Sequence, residues 1–391
     1  VSKALKSALA QLNNPAINTA LKTAAPPLHG EVPLPKEFAK KLVAWQKKHG
    51  RHDLPWQLEL KAYPVWLSEV MLQQTQVSTV KVYFQKFMLR FPRVEDLACA
   101  DINEVLALWT GLGYYTRARN LHRCAIEVTQ THGGVFPQEL EALKSLPGIG
   151  ESTAAAIASL CFQKRVAITD GNVRRVLARV MGFEGDMGLG SSVKWLSQVA
   201  QSLLPNQPSS MPTYTQGIMD LGATVCKPKN PLCDRCPMSE VCVAREQGLI
   251  DKIPVKSKKI KRTFEQLFWL IAQNPKGEVL GIKRGDKGIW AGLYGFAEFD
   301  SEEALINATT TRVGKSRIAK AQKNTGRVAP RALEVVRHEL THKSLSIHPF
   351  FWTAPMDFER PGAEWLTESQ WRQVGLSRPV EDLLRSVFAG S

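Results

Sequence analysis

No run of apolar residues in this 391-residue chain is long enough to cross a bilayer, which excludes a transmembrane helix. No segment joins a charged start, an apolar middle and a cleavage-type end, so the expectation is a soluble, non-secreted protein with no membrane partner. Acid is also scarce. Fifty-one Lys and Arg stand against 36 Asp and Glu, a formal charge of +15, which points to an anionic partner such as nucleic acid, although a basic surface also serves solubility. Residues 1–30 hold no acid and no arginine, only three lysines, with Ala25-Pro26-Pro27 close to their end. Residues 1–35 therefore read as an N-terminal arm, and the missing arginine argues against a transit peptide. Cysteine is sparse outside one loop: of seven, Cys99, Cys124 and Cys161 fall singly on apolar helical faces and are expected as buried thiols. The length favours two or three domains.

What the chain does have centres on Leu143 to Val173. Leu146-Pro147-Gly148-Ile149-Gly150 separates two helical stripes, one through Leu143 and Leu146, the other through Ala154, Ala155, Ile157, Ala158 and Cys161. Gly148 and Gly150 let backbone approach a partner closely, and a helix starting at Glu151-Ser152-Thr153 aims its unpaired N–H groups outward, which suits a phosphate oxygen. An ordinary helix corner with a glycine cap fits the same residues. Asp170-Gly171-Asn172 then opens a helix expected over Val173 to Met181. Asp170 fits an N-cap, and also an ionised carboxylate that stabilises positive charge on a sugar.

Upstream, helices are expected over Lys36 to His49, Val65 to Gln76, Val80 to Phe91, Val94 to Trp109 and Tyr115 to His132. Glu69 lies among Trp66, Leu67, Val70 and Met71, so it reads either as a surface salt-bridge partner or as a partly buried acid. Gln73, Gln74, Thr75 and Gln76 form a row of neutral hydrogen-bonding side chains that suits base edges. Gly111-Leu112-Gly113-Tyr114-Tyr115-Thr116-Arg117-Ala118-Arg119 combines a flexible turn, aromatics that stack on bases and arginines that neutralise phosphates. Packing alone also explains such a Tyr-Tyr pair.

Cys226, Cys233, Cys236 and Cys242 follow a helix expected over Tyr214 to Val225, with the spacing C-x6-C-x2-C-x5-C. Four thiols so close argue for a metal site. Structural zinc favours paired C-x2-C hooks, whereas this progression suits a four-cysteine iron–sulfur cluster, a [4Fe-4S] group, with zinc as the alternative. Lys227, Lys229 and Arg235 add cations and make the loop a second candidate phosphate binder. A basic linker over 251–263 separates this helical domain, 36–250, from an α+β domain over 264–391, in which Asn274-Pro275-Lys276-Gly277 joins two strands and Ser344 to Trp352 forms another.

With these motifs in hand, the chain resembles the MutY-type adenine DNA glycosylases of the endonuclease III, or helix-hairpin-helix, superfamily. The resemblance rests on Trp66 to Gln76, Trp109 to Tyr115, Leu146 to Gly150, Asp170 to Val173, Met219-Asp220-Leu221-Gly222-Ala223 and the four cysteines, in that order. It covers Glu37 to Cys242 strongly and 264–391 more loosely. It implies a mainly α helix-hairpin-helix glycosylase domain with an iron–sulfur loop and a Nudix-like α+β C-terminal domain. The implied reaction flips adenine from an adenine:8-oxoguanine or adenine:guanine mispair in duplex DNA and hydrolyses its N-glycosidic bond. Glu69 matches the general acid, Asp170 the carboxylate that stabilises the sugar cation, and Asn172 a group positioning sugar or water. Trp56, Leu72 and Ser152 would line the adenine pocket, and Gln74 and Tyr114 would fill or wedge the opened stack. Relatives that also cut the strand carry lysine where this chain has Ser152, so no Schiff base forms and a monofunctional enzyme is implied.

The C-terminal domain lacks the acidic signature of Nudix hydrolases. Leu340 and Thr341 stand where the family often has Phe-Ser, and Thr341 and His342 are the implied 8-oxoguanine readers. The competing readings are an endonuclease III-like glycosylase for oxidised pyrimidines, a catalytically silent DNA-binding protein and a nucleotide hydrolase. A monomer is expected, in the cytoplasm or nucleoid of a bacterium, or the nucleus or mitochondrion of a eukaryote.

Overall fold

In the computed structural model, the described residues are 37–256, 262–310 and 329–389. The arm expected over 1–35 and residues 257–261 of the expected linker lie outside them. The described chain forms two compact units, 37–70 with 135–256, and 71–134 with 262–310 and 329–389. The packing thus cuts across the expected sequence domains, because 71–134 belongs with the C-terminal strands. No described helix is long and apolar enough to cross a membrane.

The first unit is helical. It contains α1 (Phe38–His49), most of α2 (Ala62–Leu72) and, after 134, α7 (Leu140–Ser145), α8 (Glu151–Phe162), α9 (Gly171–Val180), α10 (Gly190–Ser202), α11 (Met211–Asp220) and α12 (Val243–Glu246). Alternating charge and bulk on α1 put Phe38, Leu42 and Trp45 inside and leave its lysines at the surface. Gly217 of α11 lets α1 come close, since a Cβ there would lie 3.0 Å from Gln46 Cβ. Alanines on α8 keep its buried side slim, and Ala154 to Ala158 and Leu160 are all interior. The sequence expectation of a helix to Gln76 is corrected: α2 ends at Leu72, and Gln73 to Thr75 form a turn with Gln74 at φ 57°. Residues 251–256 are no free tether, because Ile253 is buried and its carbonyl accepts from Arg179 Nε at 2.9 Å.

The second unit joins α3 (Val77–Arg90), α4 (Val94–Cys99), α5 (Ile102–Trp109) and α6 (Thr116–His132) to an eight-stranded sheet. One helix was expected over Val94 to Trp109. Asp101 divides it, capping α5 by accepting from Asn103 N at 2.7 Å. That break leaves Cys99 exposed, against the expectation of burial, while Cys124 is buried and Cys161 partly so. The strands are β1 (Thr263–Gln273), β2 (Val279–Lys283), β3 (Tyr294–Gly295), β4 (Ala297–Phe299), β5 (Arg331–Ala332), β6 (Val336–Glu339), β7 (Lys343–Thr353) and β8 (Ala363–Leu366).

The long strands β1 and β7 run parallel, from Thr263 beside Lys343 to Gln273 beside Thr353, and the other pairs are antiparallel. Both faces of β1 are apolar where it is central. Leu267, Trp269 and Ile271 point to one core, shared with Val380, Leu383 and Leu384 of α15 (Arg378–Ala389), and Leu270 and Ala272 to another, shared with Leu305 of α13 (Glu302–Thr310). A short α14 (Glu368–Trp371) places Trp371 in the first of these cores. The expected hairpin forms, with Asn274 Oδ1 accepting from Lys276 N and Glu278 N at 2.9 and 3.1 Å and Gly277 at φ 79°.

Candidate active site and nucleic-acid interface

In the first unit the turn between α7 and α8 has the geometry expected of it. Gly148 sits at φ 75°, where a side chain is strained, and Ile149 N donates to Leu146 O at 3.1 Å. Gly150 is different. Its backbone is extended at φ −83°, and no atom lies within 4 Å of where a Cβ would be, so its bareness leaves space on the outside of the molecule. No side chain caps α8 there, which leaves its first N–H groups for a partner such as phosphate. Ser152 lies partly buried in that first turn.

Asp170 caps α9, with Oδ1 accepting from Val173 N at 2.7 Å and Oδ2 from Asn172 Nδ2 at 3.4 Å. Glu69 faces it across the unit. Burial, and then the charge of Asp170, raise the Glu69 carboxyl to about 7, so Glu69 is no surface salt-bridge partner. Cys161 borders the same spot: burial first, and Glu69 second, push its thiol up to about 12. Two carboxyls in different surroundings, Glu69 with a raised pKa and Asp170 held by N–H donors, are the equipment for acid catalysis with cation stabilisation.

Asn172 is itself held. Arg175 Nη2 donates to Asn172 Oδ1 at 2.9 Å and to Gly222 O at 2.8 Å, while Arg175 Nε donates to Cys226 O at 2.8 Å. Gly222 lies in a π-helical turn, Leu221–Val225, that continues α11, and a Cβ there would stand 2.8 Å from Asn172 Cβ. The neighbouring Asp220 is wholly buried, accepting from Arg51 N and Nε at 2.8 Å each and from Gln216 Nε2 at 2.8 Å. That pairing ties down the loop leading to the buried Trp56, which sits in a 3-10 turn, Pro55–Gln57. Sequence reasoning missed Arg51, Arg175 and Asp220 as positioning residues. The available signal was an acid inside the apolar run Ile218 to Leu221.

Cys226, Cys233, Cys236 and Cys242 line one cavity, walled by Val176, Val180, Val225 and Ile250. Among the described residues no group forms a single-ion site, and the thiols stand around a space instead. Burial pushes the Cys236 thiol up to about 12, so a metal's charge is what would make that sulfur a thiolate. Arg179 braces the loop, with Nη1 donating to Lys227 O at 2.7 Å and to Cys226 Sγ at 3.5 Å and Nη2 to Pro228 O at 3.1 Å. The Lys227 side chain is partly buried and those of Lys229 and Arg235 are exposed. A four-sulfur donor set with an apolar wall and a cation at one sulfur fits an iron–sulfur group.

In the second unit Gln74 and Tyr114 both hold left-handed backbones, φ 57° and 48°, unusual outside glycine. Tyr114 Oη donates to Gln74 Oε1 at 2.8 Å and lies 2.7 Å from Thr341 Oγ1. The expectation that Arg117 neutralises phosphate is corrected. Arg117 is buried, donating to Met71 O at 2.8 Å, Thr75 Oγ1 at 3.2 Å and Gly113 O at 3.2 Å, with its guanidinium over the Trp109 and Tyr114 rings. It fastens the two turns from beneath. Leu112 is buried too, so it packs rather than presents itself to DNA, and Thr75 spends its hydroxyl oxygen on Arg117. Gln73 and Leu72 are partly buried.

Thr341 and His342 occupy the exposed turn from β6 to β7, closed by Leu340 N donating to Lys343 O at 2.8 Å. A cavity of about 730 Å³ opens there, bounded by Gln74, Tyr114, Trp290, His338 and Thr341. Leu340 packs on the core below.

An adenine DNA glycosylase of Buchnera aphidicola subsp. Acyrthosiphon pisum (strain APS) is 34% identical over 355 residues, 89% of this chain and 97% of the relative. The chain belongs to the adenine DNA glycosylase family. It is thus an enzyme of base excision repair that removes adenine from DNA. An adenine DNA glycosylase of Buchnera aphidicola subsp. Schizaphis graminum (strain Sg) is 32% identical across 89% of this chain and 97% of its own. The adenine DNA glycosylase of Homo sapiens is 31% identical across 90% of this chain and 74% of its own. Family models place an HhH-GPD superfamily base excision DNA repair protein at residues 67–189, an iron-sulfur binding domain of endonuclease III at 226–242 and a NUDIX domain at 268–386. The glycosylase therefore binds DNA and carries an iron–sulfur cluster in the four-cysteine loop. The helical glycosylase fold with a Nudix-like C-terminal domain is as the sequence implied.

Proposed function

We propose that the glycosylase excises adenine mispaired with 8-oxoguanine, or more slowly with guanine, as a monofunctional enzyme. The observation that carries this reading is the Glu69 carboxyl, raised to about 7 beside Asp170. Near neutral pH a half-protonated Glu69 can deliver its proton to the departing adenine, so the leaving group departs neutral. As the C1′–N9 bond breaks, electrons leave with the base and the sugar becomes cationic. Asp170, held by the Val173 N–H and the Asn172 amide at the start of α9, stabilises that cation, and water completes the hydrolysis with Asn172 orienting sugar or water. Trp56, Ser152 and Leu72 form the adenine pocket in this reading. Ser152 offers no amine, so strand cleavage through an imine does not follow.

Gly148, Gly150 and the first turn of α8 take a phosphate, and Lys227 supports a second contact. Gln73, Gln74 and Tyr114 stand in the opened stack, and Thr341 and His342 read the opposite base. The cluster is of the four-iron, four-sulfide type, which the ring of four sulfurs around a cavity favours over zinc. Metal analysis giving about four irons and no zinc per chain would agree. The enzyme acts as a monomer where genomic DNA lies, the nucleoid in a bacterium or the nucleus or mitochondrion in a eukaryote, checked by sedimentation and imaging. The deciding experiment is single-turnover release of adenine opposite 8-oxoguanine, guanine and thymine. Fast, slower and no release in that order is expected, and equal rates opposite all three would overturn the mispair reading.

A further inference from the structure

We infer that Gln74 and Tyr114 set the hydrogen-bond polarity of Thr341 and so make its hydroxyl an acceptor for the N7–H that distinguishes 8-oxoguanine from guanine. The inference rests on the reading of Thr341 as a contact to the opposite base, and adds two positioning residues behind it. The Tyr114 phenol has one proton, and Gln74 Oε1, which can only accept, takes it at 2.8 Å. With that proton on Gln74 Oε1, the 2.7 Å contact between Tyr114 Oη and Thr341 Oγ1 runs from Thr341 to Tyr114. Thr341 Oγ1 is left with lone pairs for the cavity and no proton to give.

Oxidation at C8 converts the purine N7 from an acceptor to an N–H donor. A lesion base over Thr341 meets an acceptor and pairs with it, whereas guanine presents its N7 lone pair to an oxygen lone pair. To accommodate guanine, Thr341 must turn its proton outward, which leaves the Tyr114 oxygen without its donor. The chain Thr341 to Tyr114 to Gln74 is therefore a one-way relay. Its geometry is costly to hold, with both Gln74 and Tyr114 at positive φ and Arg117 fastened beneath them, donating to Gly113 O at 3.2 Å and to Thr75 Oγ1 at 3.2 Å. Leu340 supplies bulk below and no polar side-chain atom, so the polar side chains of this turn are those of Thr341 and His342, and the relay acts through Thr341.

The test uses the full-length, cluster-loaded enzyme and three opposite bases: 8-oxoguanine, 8-bromoguanine, which has comparable bulk at C8 but an N7 acceptor, and guanine. Two readouts are taken, single-turnover adenine release and affinity for duplexes in which a 2′-fluorinated deoxyadenosine resists excision. Tyr114→Phe and Thr341→Val are expected to reduce the preference for 8-oxoguanine over 8-bromoguanine by roughly tenfold in both readouts. Thr341→Ser and Gln74→Glu, whose carboxylate can only accept, are expected to keep it. A merely structural role would slow all three substrates in proportion and leave the ratio unchanged, and that outcome in Tyr114→Phe overturns the inference. Wild-type enzyme that neither releases adenine nor prefers any duplex overturns the underlying mispair reading instead.

Discussion

Glu69 shows how little of a residue's chemistry its identity fixes. The same side chain would be a charged surface acid if α2 exposed it. Here burial and Asp170 raise it to about 7, and only the protonated form can serve as the acid. Adenine release in single turnovers should accordingly hold level below about pH 7 and fall about tenfold per unit above it, and a rate flat to pH 9 would remove Glu69 from that role. The same shift has a consequence for stability. A carboxyl with a raised folded pKa contributes stability that is fully present in acid and lost as pH climbs through the folded value. Glu69→Gln should therefore abolish release, retain DNA binding, and raise the melting temperature relative to wild type more at pH 8 than at pH 6. A melting difference independent of pH would show that Glu69 does not titrate as described.

Among the elements, α9 links the most chemistry. It starts at the Asp170 cap, carries Asn172 in its first turn, and sends Arg175 and Arg179 to the cysteine loop. The π-helical turn after α11 makes this packing possible because Gly222 has no side chain. Gly222→Ala would place a Cβ 2.8 Å from Asn172 Cβ and 3.2 Å from its backbone, overpacking that costs about 1–3 kcal/mol and displaces the first turn of α9. Adenine release should slow in a variant that still binds DNA, and a wild-type rate would show that Asn172 does not depend on this contact.

Arg117 plays the corresponding part for the turns of Gln74 and Tyr114. Arg117→Ala strands four acceptors, the buried Met71 O and Leu112 O and the part-buried Thr75 Oγ1 and Gly113 O, and should destabilise the protein on the order of 2–3 kcal/mol in denaturant unfolding; a loss below about 0.5 kcal/mol would return the arginine to a surface role.

Local features of this kind were legible in the sequence to different degrees. Gly148, the Asp170 cap and the cysteine spacing were readable because each is set by neighbours in the chain. Arg117 and Leu112 were not, because a basic or an apolar residue in a motif looks the same whether it faces solvent or another element. Cys99 misled because the end of α4 is decided by Asp101, two residues beyond it.

At the scale of the molecule, in the proposed function a charge of +15 and the cations of the iron–sulfur loop bear on the same event, DNA binding. Burial makes the Cys236 and Cys242 thiols reluctant to ionise, so without the cluster the loop keeps its cavity but loses what draws the four sulfurs together. What remains on the first half of the loop is Arg179 on the carbonyls of Lys227 and Pro228, Arg175 on that of Cys226 and Leu232 N on Val225 O; further along, the buried Met238 and the ion pairs Lys41–Glu240 and Arg245–Asp234 hold the chain, but none of these draws the four sulfurs together. A cluster-free preparation should therefore keep its far-ultraviolet dichroism but bind duplex DNA more weakly. Its binding should also depend less on salt, the logarithmic slope dropping by about 0.9 for each phosphate contact that Lys227, Lys229 or Arg235 gives up. Weaker binding with an unchanged slope would mean that the cluster acts through α9 on Asp170 and Asn172 rather than through the cations of its own loop. Unchanged affinity in a protein shown to be folded would leave the loop no part in holding DNA.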